Sequence, residues 1–277
     1  MELIREPEIQ DLLNDSIYKY GGYKDLERTL GKLTFGFNSL ANFNDIYERE
    51  FYVAHFFKNK EDWEKLMSPK VNAINKVIEF GKNYLQNIKV TCFSHSGNNN
   101  LMWSNYSNHH KGVCYCVDFK RSVSPWVIGQ IPWGNVIYSS QIAKVHVYQE
   151  KSNQAMMNME MSKVVLTKSL EWAYEKEMRF YLNQDDNFLH FKPDCLKAVI
   201  VGRAMQNKEI DEVLKLINEF NETNKTNVKI LYARREANSY SLGIDSNKGF
   251  RDGSETSLIA SNPVINGLDG EPFTTIK

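Results

Sequence analysis

Lys168-Ser169-Leu170-Glu171-Trp172-Ala173-Tyr174-Glu175-Lys176-Glu177-Met178-Arg179-Phe180-Tyr181-Leu182 is the stretch on which the reading of the fold turns. From Glu171 to Leu182 the apolar period is two, which predicts a strand. Met178, Phe180 and Leu182 then share one face, and Glu175, Glu177, Arg179 and Tyr181 share the other. Two carboxylates at i and i+2 repel, so each raises the other's pKa unless a cation intervenes. Arg179 lies on the same face and can supply that cation. A solvated strand face closed by an ion pair and the polar wall of a working cleft both fit this pattern.

The rest of the chain surrounds this strand with mixed elements. Ile17 to Tyr20, Leu33 to Phe37, Ile88 to Ser94, Val113 to Phe119, Leu196 to Val201 and Val228 to Ala233 read as strands. Pro69 to Asn87 and Glu209 to Glu222 carry apolar residues at three- and four-residue spacing and read as helices. Uneven helices among many strands predict an α+β fold, a single domain with a central, mostly antiparallel sheet flanked by helices. The domain is expected to span residues 1–238. From 239 to 277 Gly, Ser, Asn and Asp dominate, which predicts a poorly packed, removable tail.

Composition narrows the function classes. The chain has 277 residues, 42% hydrophobic and 12% aromatic, too rich for global disorder. Thirty-four basic and 34 acidic side chains cancel, so bulk charge gives no reason to expect nucleic acid or a membrane surface. No apolar run is long enough to span a bilayer, and the opening Met1-Glu2-Leu3-Ile4-Arg5-Glu6-Pro7 predicts no signal peptide. Cys92, Cys114, Cys116 and Cys195 are too sparse for a disulfide framework and lack a C-x-x-C, so no metal is expected and the compartment reads as cytoplasmic. Neither a G-x-G-x-x-G nor a P-loop is present.

Tyr18-Lys19-Tyr20, Phe43-Asn44-Asp45, Cys92-Phe93-Ser94, Leu101 to Tyr106 with Lys111-Gly112, and Trp172 through Glu175, Glu177 and Arg179 occur in that order. This ordered set resembles the bacterial family called domain of unknown function 2971, from about Ile17 to Gly202. One departure is Ile46-Tyr47, where that family usually has Pro and an aromatic residue. The layout is also similar to that of ADP-ribosyltransferases. That similarity implies Tyr18 or Tyr20 as ribose-binding residues, Ser94 as the middle-strand serine, and Glu177, with Glu175 two before it, as the catalytic pair. Trp103 and Arg179 complete the set expected around NAD, which would be substrate rather than resident cofactor.

The chemistry fits these residue types. Breaking the bond between ribose and nicotinamide builds positive charge on the sugar, and a preplaced carboxylate stabilises it. The implied function is an NAD-dependent ADP-ribosyltransferase, a toxin or anti-phage defence effector. Its acceptor stays open among protein, nucleic acid and small molecule, and a protein partner stays open too. Two alternatives remain. A metal-dependent nuclease would use Asp45, Glu48, Glu175 and Glu177. A sensor module that binds a ligand or a protein without turnover would use the same cleft. Trp103 itself reads as a core or rim aromatic before a stacking platform.

Overall fold

The computed structural model describes residues 6–54, 67–118, 131–146, 154–183, 187–236 and 239–247. In its main sheet β11 (Glu177–Leu182), with every residue buried, stands second from one edge. On one side β11 pairs with β5 (Lys89–Ser94), on the other with β7 (Trp133–Asn135), both antiparallel. Beyond β5 come β1 (Ser16–Gly21), β6 (Val113–Asp118), β13 (Leu196–Val201), β14 (Lys229–Arg235) and β15 (Leu242–Asp245). With β3 (Asn38–Ser39) on β5 the sheet has nine strands among the described residues.

Every described pair in this sheet is antiparallel except β13–β14. That pair is joined by a helical crossover, which a parallel connection requires. The crossover helix starts with a capping box between Gln206 and Glu209. The fold is therefore the expected α+β domain with a mostly antiparallel sheet.

Three helices stand near the N-terminal half: α1 (Glu6–Leu13), α2 (Leu26–Lys32) and α3 (Met67–Asn87). Then follow α4 (Asn100–Tyr106), α5 (Gln154–Val165) and the crossover α6 (Asn207–Asn224). Strand alternation sorts the core by face. Ile17, Phe93, Tyr115, Val117, Met178, Phe180, Val199 and Val201 pack in one cluster with residues of α2 and α6. Tyr18, Tyr20, Cys114, Cys116, Ala198 and Ile200 form a second cluster with Met102 and Trp103 of α4. Cys114 and Cys116 are thus free thiols acting as small core residues. A third cluster sets Val90 and Tyr181 against α3 and α5.

Several local expectations change. The segment Glu171 to Leu182 is not one strand. A 3₁₀ turn covers Leu170–Glu175, Lys176 takes the left-handed conformation with φ of 47°, and β11 begins only at Glu177. Outside the main sheet, β8 (Ile137–Ser139) pairs in parallel with β10 (Thr167–Ser169), and β9 (Ala143–His146) pairs in parallel with β4 (Phe51–Ala54). The sheet also continues past Asn238, because β15 pairs with β14 and buries Leu242. Residues 248–277 of the expected tail lie outside the described residues. Among the described residues no helix is long and apolar enough to cross a membrane.

Candidate functional site

The site lies where the sheet opens. β1 and β5 meet at the single register pair Tyr18↔Ser94, while the far end of β5 pairs instead with β3 at Val90 and Lys89. Between these pairings lies a cleft of about 190 Å³. Its lining includes Tyr18, Tyr20, Phe43, Phe93 and Ser94, with Lys19, Lys168, Glu175 and Glu177 as the ionisable groups that matter most. Five of the seven residues expected at the site thus meet in one concavity: Glu175, Glu177, Tyr18, Tyr20 and Ser94.

Glu175 and Glu177 arrive from different elements, the end of the 3₁₀ turn and the start of β11. The left-handed Lys176 between them reverses the chain enough for both carboxylates to meet one ammonium. Lys168 Nζ lies 2.5 Å from Glu175 Oε2, 2.6 Å from Glu177 Oε1 and 3.2 Å from Glu48 Oε1. It also stands 4.7 Å above the Trp172 ring. The other Glu177 oxygen accepts from Arg179 Nε at 2.6 Å. The other Glu175 oxygen takes the Tyr106 hydroxyl at 2.5 Å. Arg179 forks onto Glu48 through Nη1 and Nη2, each at 2.8 Å, and Nη1 also donates to the Val165 carbonyl.

This is a buried ionic network rather than a solvated face. Glu48, Glu175, Glu177, Lys168 and Arg179 are all buried, Arg179 completely. Its electrostatics separate the two glutamates. Burial raises the Glu175 carboxyl to about 8, helped by the neighbouring Glu177 and opposed by Lys168. Burial works against ionised Glu177 too, but Arg179, the hydrogen bond with Glu175, and Lys168 overcome it and hold that carboxyl well below its ordinary value. Lys168 keeps its proton: burial opposes the charge, and Glu177, Glu48 and Glu175 together outweigh it.

The remaining expected residues serve the frame. Ser94 Oγ donates to the Glu175 carbonyl at 2.6 Å, tying β5 to the 3₁₀ turn. The Tyr18 and Tyr20 hydroxyls donate to the carbonyls of Leu13 and Ser96, so their rings, rather than their hydroxyls, are offered to the cleft. Gly97 packs against the Tyr18 ring so closely that a Cβ there would stand 2.5 Å from it. Trp103 is fully buried, donates Nε1 to the Gly97 carbonyl and meets Tyr20 edge-on at 5.3 Å. Trp103 and Arg179 therefore stand behind the cleft, as core aromatic and as buried cation.

Sequence reasoning missed Lys168 as the hub, although it opens the decisive stretch, because β10 comes to β11 only through the tertiary fold. It also missed Lys19, which sits between two tyrosines that were singled out, and Tyr106, which lies within a quoted motif. Asn99 caps α4 by accepting from the Leu101 and Met102 N–H groups, and this helix presents Tyr106 to Glu175. Among the described residues no group of three or more His, Cys, Asp or Glu side chains is arranged to hold a metal ion.

An α+β domain with an ionic cluster at a sheet opening defines a general class. A more particular finding is that residues 102–180 match the family model described as protein of unknown function (DUF2971). This stretch runs from α4 into β11 and holds Tyr106, Lys168, Glu175, Glu177 and Arg179. The match bears out the resemblance to that family, over a shorter span than the ordered motifs cover. No curated protein matches the chain, and no solved structure does. The likeness to ADP-ribosyltransferases thus rests on layout alone.

Proposed function

We propose that the cleft takes the nicotinamide–ribose end of NAD, breaks the bond between them and transfers ADP-ribose to an acceptor. The observation that carries this reading is the carboxyl pair on Lys168, one member fixed as an anion and the other poised to titrate near neutrality. Glu177 supplies the negative charge that stabilises a developing ribosyl cation. Glu175, once ionised, takes the proton of the acceptor. The aromatic rings of Tyr18, Tyr20, Phe43 and Phe93 supply stacking surface. A volume of about 190 Å³ suits that end of the dinucleotide, with the adenylate lying outside. Such an activity would serve a toxin or defence effector, with a protein, nucleic acid or small molecule as acceptor.

The test is nicotinamide release from NAD, alone and with a cell lysate as acceptor source. Glu177→Gln should lower release by on the order of a hundredfold. Transfer by the wild type should rise with pH through about 8, as Glu175 loses its proton, and Glu175→Gln should remove that rise. If the wild type neither binds nor consumes NAD, the transferase reading fails.

One observation favours a second reading, a binding module without turnover. All four oxygens of Glu175 and Glu177 already have protein donors, Lys168, Tyr106 and Arg179, as in a rigid binding wall. Protection of the fold by NAD without nicotinamide release would favour it. The metal-dependent nuclease has less support, since Glu48, Glu175 and Glu177 converge on two cations rather than on one another.

A further inference from the structure

The cleft holds two lysines in opposite surroundings. Lys168 faces three carboxylates. Lys19, half-buried on β1, forms no ion pair among the described residues and reaches across the opening to β5. Its Nζ donates to Thr91 Oγ1 at 3.0 Å and to the Cys92 carbonyl at 2.8 Å. Both acceptors are uncharged.

We propose that Lys19 is a nucleophilic amine, and that the cleft captures small aldehydes or ketones with an apolar or aromatic body as imines on its Nζ. A neutral amine has two N–H donors, a lone pair and its carbon. The two acceptors on β5 match the two donors, which leaves the lone pair for an electrophile in the cleft. A protonated Lys19 would carry a third N–H that meets no hydrogen-bond acceptor among the described residues. The Phe93 ring, 5.5 Å from Nζ, favours the charged form, but a cation–π contact is a weak substitute for a carboxylate. The charged and titratable neighbours are Glu177 and the Cys92 thiol, and across β6 the register partner is Tyr115. Burial outweighs the pull of Cys92 and Glu177 and lowers the pKa of Lys19. Desolvation is a recognised way to activate a lysine.

The step balances within the cleft. The Nζ lone pair adds to the carbonyl carbon, and the π pair moves to oxygen, which takes up the proton that nitrogen releases. The carbinolamine hydroxyl then departs as water with the proton of neutral Glu175, leaving a protonated C=N bond, an iminium that keeps the last nitrogen hydrogen, and a Glu175 carboxylate that balances its charge. Nothing is oxidised or reduced. Phe43, Val90, Phe93 and Met102 line the space that the body of the carbonyl compound would fill. This activity needs no NAD and stands apart from the transferase reading.

The experiment uses the wild-type chain, so no variant has to fold. The protein is held at neutral pH with benzaldehyde and cyanoborohydride, which reduces any imine to a stable benzylamine. Peptide mass spectrometry then compares Lys19 with Lys215, a lysine whose side chain is 76% exposed. Benzylation of Lys19 at least on the order of tenfold faster than Lys215 is the expected result. Labelling of Lys19 no faster than Lys215, or none, overturns the proposal. Nicotinamide release from NAD by the same sample is scored separately, so either reading can fail while the other stands.

Discussion

Lys168 has three buried carboxylates around one ammonium, and removing that ammonium leaves them with only Arg179 as counter-charge. Taking one partner from a buried ionic network typically costs about 3–5 kcal/mol, because the remaining charges stay desolvated. Lys168→Met should therefore lower stability by roughly that much in urea unfolding, whereas an exposed pair such as Lys215–Glu219 should contribute roughly 0–1 kcal/mol. The glutamates give a pH signature of opposite sign. Glu175 is raised from 4.5 to about 8, so between those values the unfolded chain sheds a proton that the folded chain keeps, and stability falls as pH rises. Glu177 is depressed, so its contribution is present above the ordinary carboxylate range and fades as pH falls through its lowered value. In melting scans from pH 4.5 to 8, the wild-type Tm should decline relative to Glu175→Gln, and parallel curves would count against a raised Glu175. Glu177→Gln should melt lower than wild type, since it surrenders the Arg179 and Lys168 contacts.

The junction between the 3₁₀ turn and β11 depends on one exposed residue, Lys176, at positive φ. Its side chain has no burial to lose, so substitutions there read the backbone alone. A β-branched residue is strained in the left-handed region by about 1–2 kcal/mol, whereas glycine is not. Lys176→Val should lower Tm, and Lys176→Gly should hold or raise it. Equal melting of the two would mean that the junction relaxes. This element also marks how far the sequence could be read. Alternation correctly gave the apolar side of β11, Met178, Phe180 and Leu182, because residues two apart on a strand share a face and these three pack in one core cluster. It failed at Glu175, which is helical and reaches the cluster by a chain reversal rather than by strand geometry. The parallel pairs β8–β10 and β4–β9 had no local signal, since parallel partners are set by tertiary packing.

At the scale of the molecule, the cleft exists because β5 divides its edge between β1 and β3, and no local pattern encodes such a divided edge. The mixed class was legible from the alternation of periods along the chain, and most cleft residues were legible as motifs. The charge balance that buries them was not, because Glu48 lies 131 residues from Arg179 in sequence. The far end of the sheet raises a separate question, whether the chain beyond Asn238 is dispensable. Composition there falls away from large apolar residues, yet β15 adds four residues to β14 in register from Tyr232↔Asp245 to Arg235↔Leu242. Leu242 is buried against the cluster that holds Tyr18, Tyr20 and Trp103, and Arg234 lies 3.3 Å from Asp245. Full burial of a leucine contributes about 2 kcal/mol, before the ladder hydrogen bonds are counted. A chain ending at Asn238 should therefore melt lower by about 5 °C or more, while a chain ending at Asn247 keeps β15 and should melt with the full-length protein. The pair of truncations separates strand from tail. If both melt like the full chain, β15 contributes nothing to stability, and if both melt lower, the segment after Asn247 contributes as well.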